Sequence, residues 1–317
     1  MNRTSTSRGL VVALVAAMSF GASGAFVKPM LEAGWSPAAA VTARAAVGGL
    51  VLLPVALVSL RGTWHALWRA RWRVLLMGLV GVAGTQLAYF AAVQRMNVGT
   101  AVLVEYLAPL LLVAWVWVRT RRRPRRVVLV GSVVAIVGLV LVIGPGAVAD
   151  LDVLGLLFAS LAMIGCAIYY VIAAAPNDGM PPVAFAAAGL VIGAVALGAV
   201  GATGLVPFTA QWGQVSMLGG EVPWFVPLLI VGVVATAIAY VASITASELL
   251  GSRLASFVGL LEVVFATLYA WILLGEELTA LQLFGGLLIL AGIGLVRSEK
   301  EPESAVPPTA PVPVPVR

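Results

Sequence analysis

Apolar residues in this chain do not alternate with polar ones; they run together in long blocks. Ten such blocks can be drawn, at 9–28, 38–60, 74–93, 99–118, 127–146, 153–174, 183–204, 223–244, 254–274 and 279–296. Each approaches the ~20 residues a helix needs to cross a hydrocarbon core about 30 Å thick. Only helices and closed barrels satisfy every backbone N–H and C=O inside lipid. The pattern therefore predicts an all-α integral membrane fold with ten transmembrane helices.

Composition removes the soluble alternative. The chain is 62% hydrophobic and 10% charged, with a mean hydropathy of +1.08, whereas a soluble domain carries about a quarter charged residues. The net charge of +6 would suggest nucleic acid in a soluble protein. Here the cations sit in short connections between apolar blocks, most densely in RTRRRPRR at 119–126. No aromatic residue interleaves that run to stack on bases. It reads as an orientation signal under the positive-inside rule, with no nucleic-acid partner. Placing both termini in the cytoplasm puts 16 of the 19 Lys and Arg there; Arg95 falls in an outer connection, and Lys28 and Arg44 fall within or at the ends of spans. The expected location is the cell membrane, multi-pass. The first 25 residues resemble a secretory signal, with a basic start, an apolar run and ASGA. They are read as the first span, because removing them would leave nine.

Several chemistries lack their residues. Cys166 is the only cysteine and His65 the only histidine, so neither a disulfide nor a Cys/His metal site is expected. No Walker A, GxSxG or HExxH pattern occurs. No cofactor and no enzymatic activity are expected.

An internal repeat organises the blocks. Shifted by 154 positions, residues 101–142 fall on 255–296 without a gap. The identities that result include Ala101/Ala255, Val104/Val258, Leu107/Leu261, Trp117/Trp271, Gly131/Gly285, Gly138/Gly292, Leu141/Leu295 and Val142/Val296. GLVVALVAA of the first block also pairs loosely with GLLFASLAM of the sixth. A unit of five spans makes the second copy enter the membrane in the opposite sense. Such two inverted five-helix repeats are common in transporters, with a substrate site near the midplane between them.

On these residues a resemblance rests. SRLASFVGLLEVVFATLYAWILLGEELTALQLFGGLLILAGIGLV at 252–296 resembles the C-terminal half of an EamA-type transporter of the drug/metabolite transporter superfamily. FVKPM, TARAAVGG and QLAYFAAVQRMNVGTAVLVEYLAPLLLVAW resemble its first half. The resemblance implies a cytoplasmic N-terminus at 1–8, one five-helix repeat at 9–146 and a second at 153–296. The charged, Pro-rich segment 297–317 is read as a disordered cytoplasmic tail. The resemblance further implies a central cavity lined by segments 1–4 and 6–9, with 5 and 10 as scaffold, and export of amino acids or other small metabolites, often proton-linked. Two departures stand out. Val263 occupies the place of Pro109, which puts a kink in segment 9 in doubt, and Arg121–Arg123 replace the GEE of 275–277.

Charges inside spans cost roughly 2.5–3.5 kcal/mol each on insertion scales, so those retained are paired, hydrated or useful. Four are expected in spans: Lys28, Arg44, Glu105 and Glu262. Their formal charges cancel, which suits one shared polar cavity; Lys28, near a helix end, could instead snorkel to the surface. Under the offset Glu105 falls on position 259, one helical turn from Glu262. The two carboxylates then share a face of equivalent helices, where they could bind an ammonium group or a coupling proton. The alternative is a structural pair bridged to Arg44 or Lys28. Gln86, Tyr89, Tyr106, Tyr169 and Tyr240 complete the expected polar lining, each equally serviceable as a helix–helix contact. Trp115, Trp117 and Trp271 read as interfacial belt, Gly189/Gly193 as a close-packing face, and the outer connection around 206–223 as a short interfacial helix carrying Trp212. The expected partners are a small-molecule metabolite and the lipid bilayer; no pattern specifies an oligomeric state. A membrane enzyme acting on lipid or isoprenoid would want clustered acids at one interface, yet Asp150 and Asp152, and Glu276 and Glu277, lie in separate loops. A channel fits the repeat less well than a carrier.

Overall fold

A computed structural model describes residues 3–96, 98–121, 123–144, 152–175, 179–275 and 277–298. The Pro-rich segment beyond 298, Arg122, Asp150 and Glu276 lie outside the described residues.

Helices account for nearly all of it. They are α1 (Arg3–Glu32), α2 (Pro37–Ser59), a short α3 (Trp64–Arg69), α4 (Arg71–Val93), α5 (Val98–Glu105) and α6 (Ala108–Thr120). They continue as α7 (Arg126–Ile143), α8 (Val153–Ala173), α9 (Pro182–Ala202), α10 (Phe225–Gly259), α11 (Leu261–Leu274) and α12 (Ala280–Ser298). Among the described residues, nine stretches are long and apolar enough to span a membrane. Their starts use local chemistry. Ser36 caps α2 by accepting from Ala39 N at 3.3 Å, and Asp152 caps α8 by accepting from Gly155 N at 2.6 Å. Thr279 and Gln282 form a reciprocal capping box before α12. Large apolar side chains such as Leu50, Val55, Val133 and Leu287 are exposed, while alanines fill the interior. Small residues inside and bulky ones outside is the arrangement expected when lipid, not water, surrounds the bundle.

Elements recur at the 154-residue spacing. Helices α5, α6 and α7 reappear as the last arm of α10, α11 and α12, with ends that agree within one residue. The left-handed cap after α6, Arg121 (φ 57), recurs after α11 as Gly275 (φ 68). A π-helical segment widens α4 at Met77–Gly84 and α10 at Val233–Ile238, and both end at equivalent positions. At 35 residues, α10 would be about 52 Å long if straight. Gly251 (φ 78, ψ 160) breaks it at a kink.

Segment 9 bends despite lacking a proline. Leu260 separates α10 from α11, as Tyr106 and Leu107 separate α5 from α6. Tight i→i+3 hydrogen bonds make both bends: Val263 N donates to Leu260 O at 3.2 Å, and Leu110 N to Leu107 O at 2.9 Å. Pro109 is therefore not the cause of the first bend's counterpart.

Glycines set the closest crossings. Antiparallel α7 and α12 touch through Gly131 against Gly292 and Gly138 against Gly285, each glycine lying under the other's carbonyl. Gly193 of α9 packs on Gly78 O and Val82, and Gly189 on Met77, which is the close-packing face expected. The same contact occurs between α2 and α10, where Gly48 packs on Gly232 O and Thr236; Gly232 and Thr236 are 154 residues beyond Gly78 and Val82.

One expectation fails in the connection between α9 and α10. It holds no helix; Gln214–Met217 (β1) pairs antiparallel with Gly220–Pro223 (β2). Leu218 (φ 53) and Gly219 (φ 79) supply the two left-handed residues that a tight hairpin turn requires. Trp212 precedes the hairpin and packs edge-on against Trp224 (4.7 Å) and Trp35 (5.8 Å). The Trp35 indole N–H donates to Gln211 O at 2.8 Å, tying the connection to the turn before α2.

Candidate functional site

Helices bent at 106–107 and at 260 cannot pack flush against their neighbours, and the gap between them is a cavity of about 360 Å³. Ligand pockets begin near that size, roughly 300 Å³. Six positions from the first half line it together with their 154-residue counterparts: Gln86 and Tyr240, Val102 and Ser256, Glu105 and Gly259, Tyr106 and Leu260, Ala108 and Glu262, Pro109 and Val263. Glu105 ends α5 just before one bend, and Glu262 opens α11 just after the other. The carboxylates therefore come from non-equivalent positions of equivalent bends. Gly259, the counterpart of Glu105, leaves room that the Tyr170 hydroxyl occupies.

Eight of the nine residues expected to bind substrate or protons line this one cavity: Arg44, Gln86, Tyr89, Glu105, Tyr106, Tyr169, Tyr240 and Glu262. Arg44 donates through Nη1 to Ser23 Oγ at 3.0 Å, bridging α2 to α1. Tyr106, at the first bend, and Glu262, just past the second, line the cavity together. An aromatic wall continues from there: Tyr170 to Tyr169 (5.2 Å), Tyr169 to Tyr240 (5.8 Å) and Tyr240 to Phe20 (5.3 Å), all edge-on.

Lys28 is not among them. It lies near the end of α1, about 7.5 Å of helix rise beyond Ser23, in a smaller cavity of about 210 Å³ with Glu32, the hairpin residues Ser216–Leu218, Leu273 and Leu274. The expected charge balance changes with it. Among the described residues the central cavity carries two carboxylates and one guanidinium, a formal charge of −1 rather than zero.

Segment 7 also departs from the expected lining. No residue of α9 reaches the cavity, nor does any of α7 or α12. The contacts of α2 and α9 put Gly189 where α2 has Arg44, and Gly189 is pressed against Met77 and Gly78. That tight packing closes the space a side chain would need.

Sequence reasoning passed over Phe20, Ser23, Thr85 and Ser256, and treated Cys166 only as a lone thiol; all five line the cavity. The signal for some of them was present. The loose pairing of Gly9–Ala17 with Gly155–Met163, extended along the helices, aligns Phe20 with Cys166 and Ser23 with Tyr169. Among the described residues, no group of three or more His, Cys, Asp and Glu side chains stands together as metal ligands would.

Comparison with known proteins gives a consistent result. The model of the EamA-like transporter family matches twice, over residues 7–144 and 153–298. An uncharacterized inner membrane transporter of Salmonella typhimurium, YicL, is 25% identical over 301 residues, covering 92% of this chain and 96% of that one. An uncharacterized transporter of Archaeoglobus fulgidus is 28% identical over 211 residues, covering 66% of this chain and 70% of its own length. A protein crystal structure superposes with a TM-score of 0.72 over 91% of this chain and 97% of that one at 21% identity, a likeness of fold.

Proposed function

The chain belongs to the EamA-like transporter family, within the drug/metabolite transporter superfamily, and on that premise we propose that it is a secondary active transporter moving a small polar metabolite by alternating access. An amino acid or related compound is the substrate class, carried outward, with proton coupling. The observation that carries this reading is the central cavity lined by counterpart positions of both halves and, among the described residues, holding two carboxylates and one guanidinium.

Ten crossings in two inverted repeats, 9–146 and 153–296, underlie it. The reciprocal contacts Gly131–Gly292 and Gly138–Gly285 support the inversion, because exchanging the halves converts one into the other. Antiparallel helices related in this way require a twofold axis across them, in the membrane plane. The arm of α10 beyond Gly251 joined to α11 serves as the ninth crossing. The bias of arginines supports cytoplasmic termini.

Each half can then take up the conformation of the other, and the cavity opens to alternate sides. In the cavity Arg44 faces an anionic group of the substrate, the glutamates an ammonium group or a proton, and the tyrosines its apolar body. Among the described cavity-lining residues two carboxylates face one guanidinium, and substrate or proton balances the excess negative charge. The carboxylates converge at helix bends inside the bundle and not at an interface, which favours a carrier over a lipid-modifying enzyme.

Proteoliposomes offered a panel of amino acids, with and without an imposed pH gradient, test the reading. At least one substrate should move faster with the gradient, and Glu105→Gln/Glu262→Gln should abolish that acceleration. Unchanged transport and pH dependence in the double variant would remove the glutamates from the mechanism.

A further inference from the structure

We propose that the elbow at residues 61–73, joining α2 to α4, binds the phosphate-bearing headgroup of an anionic phospholipid, with Arg71 at the centre of the site. The segment reads RGTWHALWRARWR, and its tryptophans recur every fourth residue. Trp64, Trp68 and Trp72 are 51%, 71% and 65% exposed, while Ala66, Ala70 and Val74 are buried in the main core. The elbow thus turns its small residues inward and three indoles outward. Val55, Val58, Leu76 and Leu79, on the helices that enter and leave it, are exposed as well, so the indoles continue a lipid-facing apolar surface. Indoles partition to the headgroup level of a bilayer.

Arg71 is held in place among them. Its guanidinium lies 4.7 Å from the Trp68 ring centroid and 5.6 Å from that of Trp72, and Nη1 donates to Trp68 O at 2.9 Å. The rings and the carbonyl restrain a guanidinium that is exposed, and a guanidinium's planar fork matches a phosphate. Arg61 and Arg69 are exposed beside it. Arg73, by contrast, turns inward to Ile172 O (3.1 Å) and Ala175 O (3.4 Å). No Asp or Glu occurs anywhere between Glu32 and Glu105, so nothing in that stretch neutralises the elbow. Glu248 acts on Arg73, the member of the elbow that turns inward, whereas Arg61, Arg69 and Arg71 are exposed; set among headgroup-level indoles, these outward cations complement an anionic lipid rather than a dissolved ion. By the arginine bias it faces the cytoplasmic leaflet, whose lipids carry negative charge.

The test uses the full chain in nanodiscs of phosphatidylcholine alone or mixed equally with phosphatidylglycerol, with retained lipid read by native mass spectrometry. Wild type should retain phosphatidylglycerol over phosphatidylcholine, and Arg71→Gln should weaken that preference about fivefold, the contribution of one arginine at an anionic surface. Arg71→Lys, which keeps the charge but loses the planar fork, should fall between them. Arg123→Gln, removing an exposed arginine from the other basic connection, should retain the wild-type preference. Equal retention by Arg71→Gln and wild type would overturn the site. So would an equal loss in Arg123→Gln, which would make the effect one of overall charge. Inorganic phosphate added to phosphatidylcholine discs should not raise the thermal midpoint as phosphatidylglycerol does; if it does, the ligand is a free anion and the lipid assignment fails.

Discussion

Replacing Gly138 by alanine probes the closest approach of a glycine to another helix's backbone among the described residues. An added Cβ would lie 2.5 Å from Gly285 O and 2.7 Å from Ile289 N. Ordinary contacts begin at 3.4 Å, so α7 and α12 must part by 0.9 Å (3.4 − 2.5) at that point. Both obstacles are backbone and cannot rotate away. The cost should be about 2 kcal/mol, the middle of the range for overpacked sites. If the halves are related by a twofold axis, Gly292→Ala meets the counterpart contact, where Gly131 O lies at 2.6 Å, and should cost the same to within ~0.5 kcal/mol. Gly138→Ala/Gly131→Ala strains two contacts about 10 Å apart along α7, so its cost should be additive, near ~4 kcal/mol. Gly138→Ala/Gly285→Ala strains one contact twice and should cost less than the sum. Unfolding followed by circular dichroism during SDS titration of detergent-solubilised protein measures all four. A Gly138→Ala protein as stable as wild type would mean that the crossing is looser than drawn. A difference above ~1 kcal/mol between Gly138→Ala and Gly292→Ala would sink the twofold relation.

Three other outcomes follow from the same geometry. Arg44→Gln removes the one cation among the described cavity-lining residues and should destabilise the protein by about 3 kcal/mol, the scale of an uncompensated intramembrane charge; adding Glu262→Gln should restore stability in the same SDS titration without restoring transport. Cys166 lines the cavity, so a small thiosulfonate reagent should inactivate transport, and saturating substrate should slow labelling severalfold; a labelling rate indifferent to substrate would place binding elsewhere. Reporter fusions within 119–126 and after residue 298 should report the same side of the membrane, and opposite sides would refute the inverted arrangement.

Much of this protein was legible from its residues because lipid leaves so few options. An apolar block of about 20 residues has to be a helix there, so the nearly all-helical membrane character followed from hydropathy alone. The 154-residue offset already paired Gly131 with Gly285 and Gly138 with Gly292, the glycines that meet at the α7–α12 crossing. It also brought Glu105, Glu262 and Arg44 under suspicion, since intramembrane charge is costly enough to be scarce. Hydropathy did not show where a helix bends. Val263 in place of Pro109 pointed to a straighter segment 9, whereas the bend arises from i→i+3 bonding at Leu260 that no residue type announces. The Trp212 connection was misread because aromatic content marks an interface without specifying the backbone, and the left-handed Leu218 and Gly219 made it a hairpin. Tertiary packing alone decided which polar residues share a cavity. Lys28 and Ser23 are five positions apart on one helix, yet about 7.5 Å of rise puts one in the outlying cavity and the other at Arg44. Gly189, equivalent to Arg44 by its contacts, was excluded by the close approach of α4. Sequence sets which groups are too costly to expose to lipid; the distances between helices set which of them meet.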